Sequence, residues 1–413
     1  MPDTHVATRA FAIILAQALL FAIAPLARAE SLTLARCLEL SARQNPERLA
    51  ADREVDAARA RLSQARALEA PTLSVEAGKL GTPVSAEERE ASLRLGQEIP
   101  LLGQRGKRRR LAEVELSIAE AERDGVLLRV RGEVTRAYRR AQAGELSLRT
   151  LRDLRTNVVD VEQFVQLRLS TGGARYLDVL RARAERARIE NDVVESERAL
   201  AEERRTLGVL LGRPEAGMPE PADTLAFTPL ADSLEPMLAA ALHDRPRVRT
   251  ARLEVERARA AVGAERSGLL PTTGFSFGLD RVPGADRPGY GGEVSIDLPF
   301  MPWTGQGARV REAQAQQSSA ESRLLVAQRS LDVSMRNAYQ AASAASAQVE
   351  RFQRILLADA SDAIRAAVQN YQAGQIEALE LFETLRTFRA IRLEYIRALL
   401  NHQLALTDLQ VAE

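Results

Sequence analysis

Two stretches of the chain alternate apolar and polar residues with a period of two. In Pro71–Lys79, Leu73, Val75 and Ala77 alternate with Thr72, Ser74 and Glu76. In Pro271–Leu279, Thr273, Phe275, Phe277 and Leu279 alternate with Gly274, Ser276 and Gly278. That period belongs to a strand with one apolar and one polar face. Each stretch has a partner of the same kind. Leu93, Leu95 and Ile99 alternate with Ser92, Arg94 and Glu98, and Val294, Ile296 and Leu298 alternate with Glu293, Ser295 and Asp297. Loops bearing glycine and proline, Gly81–Pro83 and Pro283–Gly292, join each pair, which predicts two β-hairpins.

The remaining pattern is helical. Ser31–Ala70 reads as a helix capped by Ser31 or Thr33, broken or kinked at Asn45-Pro46 and ended by Pro71. Gly103–Leu169 contains no proline, and Leu151, Leu154, Val158, Val161 and Val165 recur in alternating steps of three and four, a heptad seam. Such a helix of about 67 residues would be about 100 Å long at 1.5 Å per residue, a length that tubes and coiled coils need and compact domains do not. Ser170-Thr171-Gly172-Gly173 predicts a turn, after which Ala174–Leu211 returns as a shorter helix ended by Gly212-Arg213-Pro214. Residues 213–231, with Pro214, Pro219, Pro221 and Pro229, read as an irregular linker or equatorial segment.

Beyond the linker the chain repeats itself. Pro46 matches Pro246, Glu54-Val55 matches Glu254-Val255, Arg66 matches Arg266, Pro71-Thr72 matches Pro271-Thr272 and Gly78 matches Gly278, all at a constant offset of 200. Further on, Tyr138 pairs with Tyr339 and Gly172 with Gly374. An Ala/Arg/Glu bias does not place two prolines and a glycine in one ungapped frame, so the halves are read as a duplication. The expected organisation is a segment 1–29, a first repeat 30–212 (helix, β-hairpin, long helix, helix), the linker 213–231 and a second repeat 232–413. In each half two short helices match the long one in length, giving two parallel columns with a hairpin at one end and a glycine turn at the other.

Composition narrows the function. The 413 residues hold 57 Lys+Arg against 56 Asp+Glu, which argues against a nucleic-acid protein, since phosphate neutralisation needs a basic excess. Cys37 is the only cysteine, and His5, His243 and His402 are too scattered for a ligand cluster, so no metal or cofactor is expected. There is no Gly-rich phosphate loop and no nucleophile–base pair, and no enzymatic chemistry is expected. Arg9, the apolar run Phe11–Ala24 and Ala27-Arg28-Ala29 make residues 1–29 an expected signal peptide cleaved near Ala29. Cys37 follows Arg36 after the apolar run has ended, which favours a small buried helix residue over a lipid anchor. Gln104–Arg110 is the densest basic run; a solvated face and a contact with lipid phosphates both fit it.

Four strands cannot close a membrane barrel, which needs about eight, and open edges cannot face lipid. Either the strands form a small soluble sheet or several chains pool them. The signal peptide, the alternation and strands of about nine residues favour pooling in an outer membrane. Tyr290, near a strand end, suits an interfacial aromatic.

With its signal peptide, duplicated halves, hairpins after Pro71 and Pro271, and one long and two short helices per half, the chain resembles the TolC-like outer-membrane efflux factors. The segment Glu98-Ile-Pro-Leu-Leu-Gly-Gln-Arg-Gly-Lys-Arg is most similar to the heavy-metal (CzcC-like) branch. The resemblance implies a mainly α fold with a small β part. Duplicated long-helix hairpins would form a periplasmic α-barrel, and four strands per chain would contribute to a twelve-stranded transmembrane β-barrel in a homotrimer embedded in outer-membrane lipids. It implies an exit duct of a tripartite efflux system, passively conducting substrate, heavy-metal cations in this branch. A periplasmic adaptor (membrane fusion protein) and an inner-membrane pump of the resistance-nodulation-division type would be its partners. The alternatives are a periplasmic adaptor and a structural coiled-coil protein without a pore. The duplication contradicts the first, and the second gives no reason for the hairpins.

In the family the glycine turns form the gated periplasmic tip; here they are Gly172 and Gly374. The resemblance carries the family's tip acids onto Glu380 and Glu383, which as i, i+3 neighbours face one side of a helix. Three copies would make acidic rings able to bind or select cations, while a solvated helix face is the plainer reading. The gate tyrosine falls on Tyr371 and its aspartate partner on Asp178, implying a Tyr–Asp bond. The arginine expected two residues beyond the second glycine is Ile376 instead, so that part of a polar lock is missing from its usual place.

Overall fold

The computed structural model describes residues 31–77, 91–99, 103–213, 219–230, 233–281, 289–301 and 305–412. The expected signal peptide, the loop Gly81–Pro83 and much of Pro283–Gly292 lie outside them. In chain order the elements are β1 (Ser31–Leu32), α1 (Leu34–Gln44), α2 (Pro46–Arg66), β2 (Thr72–Ala77), β3 (Ala91–Ile99), α3 (Gln104–Ser170), α4 (Tyr176–Leu210) and β4 (Glu220–Pro221). Then come α5 (Leu234–Asp244), α6 (Pro246–Ser267), β5 (Thr272–Arg281), β6 (Gly289–Asp297), α7 (Gln306–Arg351), a π-helical turn (Phe352–Leu356), α8 (Leu357–Gln372) and α9 (Ala378–Val411). The element order of the first half returns in the second, at an offset of 200 before the hairpins and 202 at the glycine turns.

Local chemistry explains the boundaries. Thr33 caps α1, its hydroxyl accepting from the Arg36 N–H at 3.3 Å. Asn45 ends α1 and starts α2: its side-chain oxygen accepts from the Glu47 and Arg48 N–H groups at 2.9 and 3.2 Å, with Pro46 in the first helical position. Two expectations change here. Ser31 is not a cap but half of a two-residue parallel pairing with Glu220, and α2 stops at Arg66 rather than Ala70.

The linker is less irregular than its prolines suggest, because its backbone polar groups are used. Beyond β4, Gln142 donates to the Asp223 carbonyl, Gln403 to the Ala226 carbonyl and His402 Nε2 to the Thr228 carbonyl, each at 2.7 Å. Tyr138 Oη lies 3.0 Å from the Leu32 carbonyl oxygen and 3.1 Å from Asp223 Oδ2. Burial pushes the Tyr138 phenol up to about 12.

By contacts the chain forms two units that cut across the repeats. One takes Leu49–Leu127 and Ser233–Arg336; the other takes the chain up to Arg48, Leu128–Asp232 and Asn337–Ala412. The first unit holds all four long strands in one antiparallel sheet of order β2-β3-β5-β6. The register sets Val75 opposite Leu93, Leu93 opposite Leu279, Leu95 opposite Phe277 and Phe275 opposite Val294. Directly opposed residues share a face, so the alternation of the two hairpins merges into one apolar surface. That surface is uncovered: Val75 is 73% exposed, Phe277 59% and Val294 62%. The opposite face carries Arg94, which pairs with Glu293 at 3.4 Å and Asp280 at 3.8 Å. β2 and β6 each have a free edge within the described residues.

The second unit has a helical core. Leu151, Leu154, Val158 and Val165 of the heptad seam are buried with Val179, Ile189 and Val193 of α4 and Leu381, Phe382 and Leu385 of α9. Cys37 is buried in α1. Glu185 is 1% exposed yet paired, to Arg386 at 2.9 Å, Arg188 at 3.3 Å and Arg389 at 3.4 Å. Its charge ties α4 to α9, since a buried carboxylate without such partners is strongly disfavoured.

Candidate functional site

The two glycine turns belong to this second unit and are built alike. After α3, Gly172 adopts φ +76; its N–H donates to the Leu169 carbonyl at 3.1 Å, and the Gly173 N–H donates to the Arg168 carbonyl at 2.7 Å. After α8, Gly374 adopts φ +77, with Gly374 donating to Tyr371 at 3.1 Å and Gln375 to Asn370 at 2.8 Å. These are paired Schellman caps, and the left-handed φ is what demands glycine at both.

Three side chains join the turns. Arg168 donates to the Tyr371 carbonyl at 2.5 Å, and its guanidinium lies 5.1 Å from the centre of the Tyr371 ring. Arg175 and Glu377, the residues just before α4 and α9, form an ion pair at 2.9 Å. Phe164 meets the tyrosine edge-on, with ring centres 6.0 Å apart. Tyr371 thus touches both an arginine and a phenylalanine.

The Tyr371–Asp178 bond is not formed. Tyr371 is 4% exposed and its hydroxyl has no hydrogen-bond partner among the described residues. Burial raises its pKa; the nearby Arg168 charge opposes this and Asp178 adds to it. Asp178 is committed elsewhere. Its carboxylate accepts from the Arg175 backbone N–H at 3.1 Å, capping α4, and lies 3.4 Å from Arg181. The equivalent position in the second half is Glu380, which makes no such cap. Glu380 and Glu383 are both exposed, and neither carboxylate has a hydrogen bond or ion pair among the described residues.

Arg168, Arg175 and Glu377 were not among the residues singled out from sequence. Two signals were available: Arg175 and Glu377 each stand three residues after a turn glycine, and Arg168 lies in the last turn before Gly172. The missing arginine at 376 is answered from the other turn, because Arg168 reaches Tyr371 from the end of α3.

The sequence profile of the family described as outer membrane efflux protein matches residues 38–213 and again residues 237–412. The chain belongs to the outer membrane efflux protein family. Among curated relatives it is 27% identical over 381 residues to the cobalt-zinc-cadmium resistance protein CzcC of Cupriavidus metallidurans, covering 91% of this chain and 88% of that protein. Among solved structures it resembles CusC, whose crystal structures describe transmembrane channel formation, at 19% identity with a TM-score of 0.78 over 93% of each chain. It also resembles the open state of the Neisseria gonorrhoeae MtrE outer membrane channel, at 20% identity with a TM-score of 0.76 over 92% of this chain and 88% of that one. The fold is thus TolC-like.

Proposed function

We propose that the protein is the outer-membrane exit duct of a tripartite efflux system, working as a homotrimer. The observation that carries this reading is the four-stranded sheet with two free edges and an uncovered apolar face. Backbone groups on an open edge cannot be left unsatisfied in hydrocarbon, so β2 of one copy pairs with β6 of the next. Three such sheets close into a twelve-stranded barrel. The apolar face meets lipid, Tyr290 sits at its border, and the Arg94 face lines the lumen.

The duct conducts passively and performs no chemistry. Energy comes from an inner-membrane pump of the resistance-nodulation-division type, reached through a periplasmic adaptor. The exposed Leu167, Tyr176, Leu177 and Leu180 around the first turn offer apolar surface for such a partner. Heavy-metal cations are the proposed substrate. Similarity to CzcC supports this, as do the exposed, unpaired Glu380 and Glu383, which become acidic rings in a trimer.

The test is electrophoresis of purified outer membranes with and without heating. A trimer-sized band that collapses to a monomer on boiling is expected; recovery as a soluble monomer would reject the duct.

A further inference from the structure

The basic run at the start of α3 plays no part in that account. Arg105, Lys107, Arg108, Arg109 and Arg110 occupy six consecutive positions with only Gly106 between them, and all are exposed. Three carboxylates reach them: Glu69 meets Arg108 at 2.6 Å, Glu113 meets Arg109 at 2.8 Å, and Glu256 lies 3.8 Å from Arg110. Arg105 donates to the Arg66 carbonyl, and Lys107 has no ion pair among the described residues. Five cations against three carboxylates leave a surplus. The paired arginines keep 57–62% of their side chains exposed, so these are solvated contacts that hold them only weakly.

The place of this surplus gives it a use. Glu69, the partner of Arg108, has its carbonyl 2.9 Å from Gln97 Nε2 near the end of β3. Gln104 donates to the Leu270 carbonyl at 2.9 Å, two residues before β5 begins. The cations therefore form a collar where the helices meet the end of the sheet, and Gln97, which links Glu69 to it, shares a face with Phe275. Long basic side chains at the rim of an apolar surface reach the level of lipid phosphates while their stems stay on apolar ground. A surplus of Lys/Arg there favours anionic headgroups.

We propose that this collar binds the phosphate headgroups of anionic phospholipids in the leaflet nearest the helices and so fixes the depth of the barrel. The proposal rests on the membrane reading above, and its test is separable from it.

The purified trimer is mixed with phosphatidylglycerol or phosphatidylcholine and retained lipid is read by native mass spectrometry. The comparison is between the wild type, the collar triple Arg105→Gln, Lys107→Gln, Arg108→Gln and a control triple Arg149→Gln, Arg152→Gln, Arg198→Gln. Wild type and control are expected to hold phosphatidylglycerol over phosphatidylcholine, and the collar triple to lose at least tenfold in that binding. Equal retention by all three, or an equal loss in the control, overturns the proposal. So does competition by soluble glycerol phosphate at the same concentration as the lipid. If the triple does not assemble, Lys107→Gln alone is the substitute, with a smaller loss expected, since its side chain has no ion pair among the described residues. A monomer on the unheated gel counts against the duct, whereas a trimer with unaltered lipid binding counts against the collar alone.

Discussion

A glycine at positive φ can be required for two different reasons, and the chain contains both. Nothing lies within 4 Å of a Cβ added at Gly172, so Gly172→Ala meets only the backbone strain of the left-handed region, about 1–2 kcal/mol. A Cβ at Gly212, also at positive φ, would overlap the Gln44 carbonyl oxygen. Gly212→Ala is therefore expected to cost clearly more than Gly172→Ala in thermal unfolding followed by circular dichroism. At the joined turns the decisive side chain is Arg168. Arg168→Ala removes both its hydrogen bond to the Tyr371 carbonyl and its contact with the ring, an expected loss of about 1–3 kcal/mol. In planar bilayers the variant should spend more time in open events than the wild type. Arg168→Lys should fall between them, since a lysine keeps the charge and not the planar stack. Unchanged open time in the alanine variant would show that Arg168 plays no part in opening.

At the scale of elements, helices are held together by charges as well as by the apolar seam. Within the strand-bearing unit, Asp124 of α3 accepts from Arg249 of α6 at 2.7 Å and from its neighbour Arg123 at 2.8 Å. Burial alone would raise the Asp124 pKa; the two arginine hydrogen bonds outweigh it and hold the carboxyl below its ordinary value of 3.8. A depressed folded pKa means that this stabilisation is complete above the ordinary value and is lost as pH falls through the folded one. Asp124→Asn should lower stability at neutral pH and flatten the acid limb of the stability–pH curve in urea titrations. A curve parallel to the wild type would show that the pair contributes nothing. The π-helical turn at Phe352–Leu356 is another element-scale feature, present in the second half and absent from the continuous α3 of the first. It directs Phe352 into a buried cluster and Gln353 onto the Tyr395 hydroxyl at 3.0 Å.

At the scale of the whole molecule, duplication and assembly are the themes. The repeats are unequal just after the glycine turns. Asp178 and Arg181 of the first half pair with each other, while Glu380 and Glu383, at the matching positions of the second, are both acidic and unpaired. At these matched positions only the second half carries unpaired carboxylates among the described residues. If the protein assembles as proposed, Glu380→Gln with Glu383→Gln is expected to weaken block of single-channel current by divalent cations several-fold while leaving assembly on the unheated gel unchanged. Unchanged block would reject a cation-selecting role for these residues.

The sequence by itself determined what depends on near neighbours. A period of two made the hairpins legible, a period of three and four made the helices legible, and prolines and glycines marked where each stops. The constant offset exposed the duplication, and Gly172 and Gly374 marked the turns because φ near +76 excludes most other residues. Only the tertiary structure decided which distant segments meet. Periodicity says which face a residue is on and nothing of what lies opposite. The pairing of β3 with β5, the reach of Arg168 to Tyr371, and contact units that each draw on both repeats were therefore outside its scope. Asp178 is the instructive case: the family resemblance implied a bond to a tyrosine, but its carboxylate is taken by a backbone N–H three residues away.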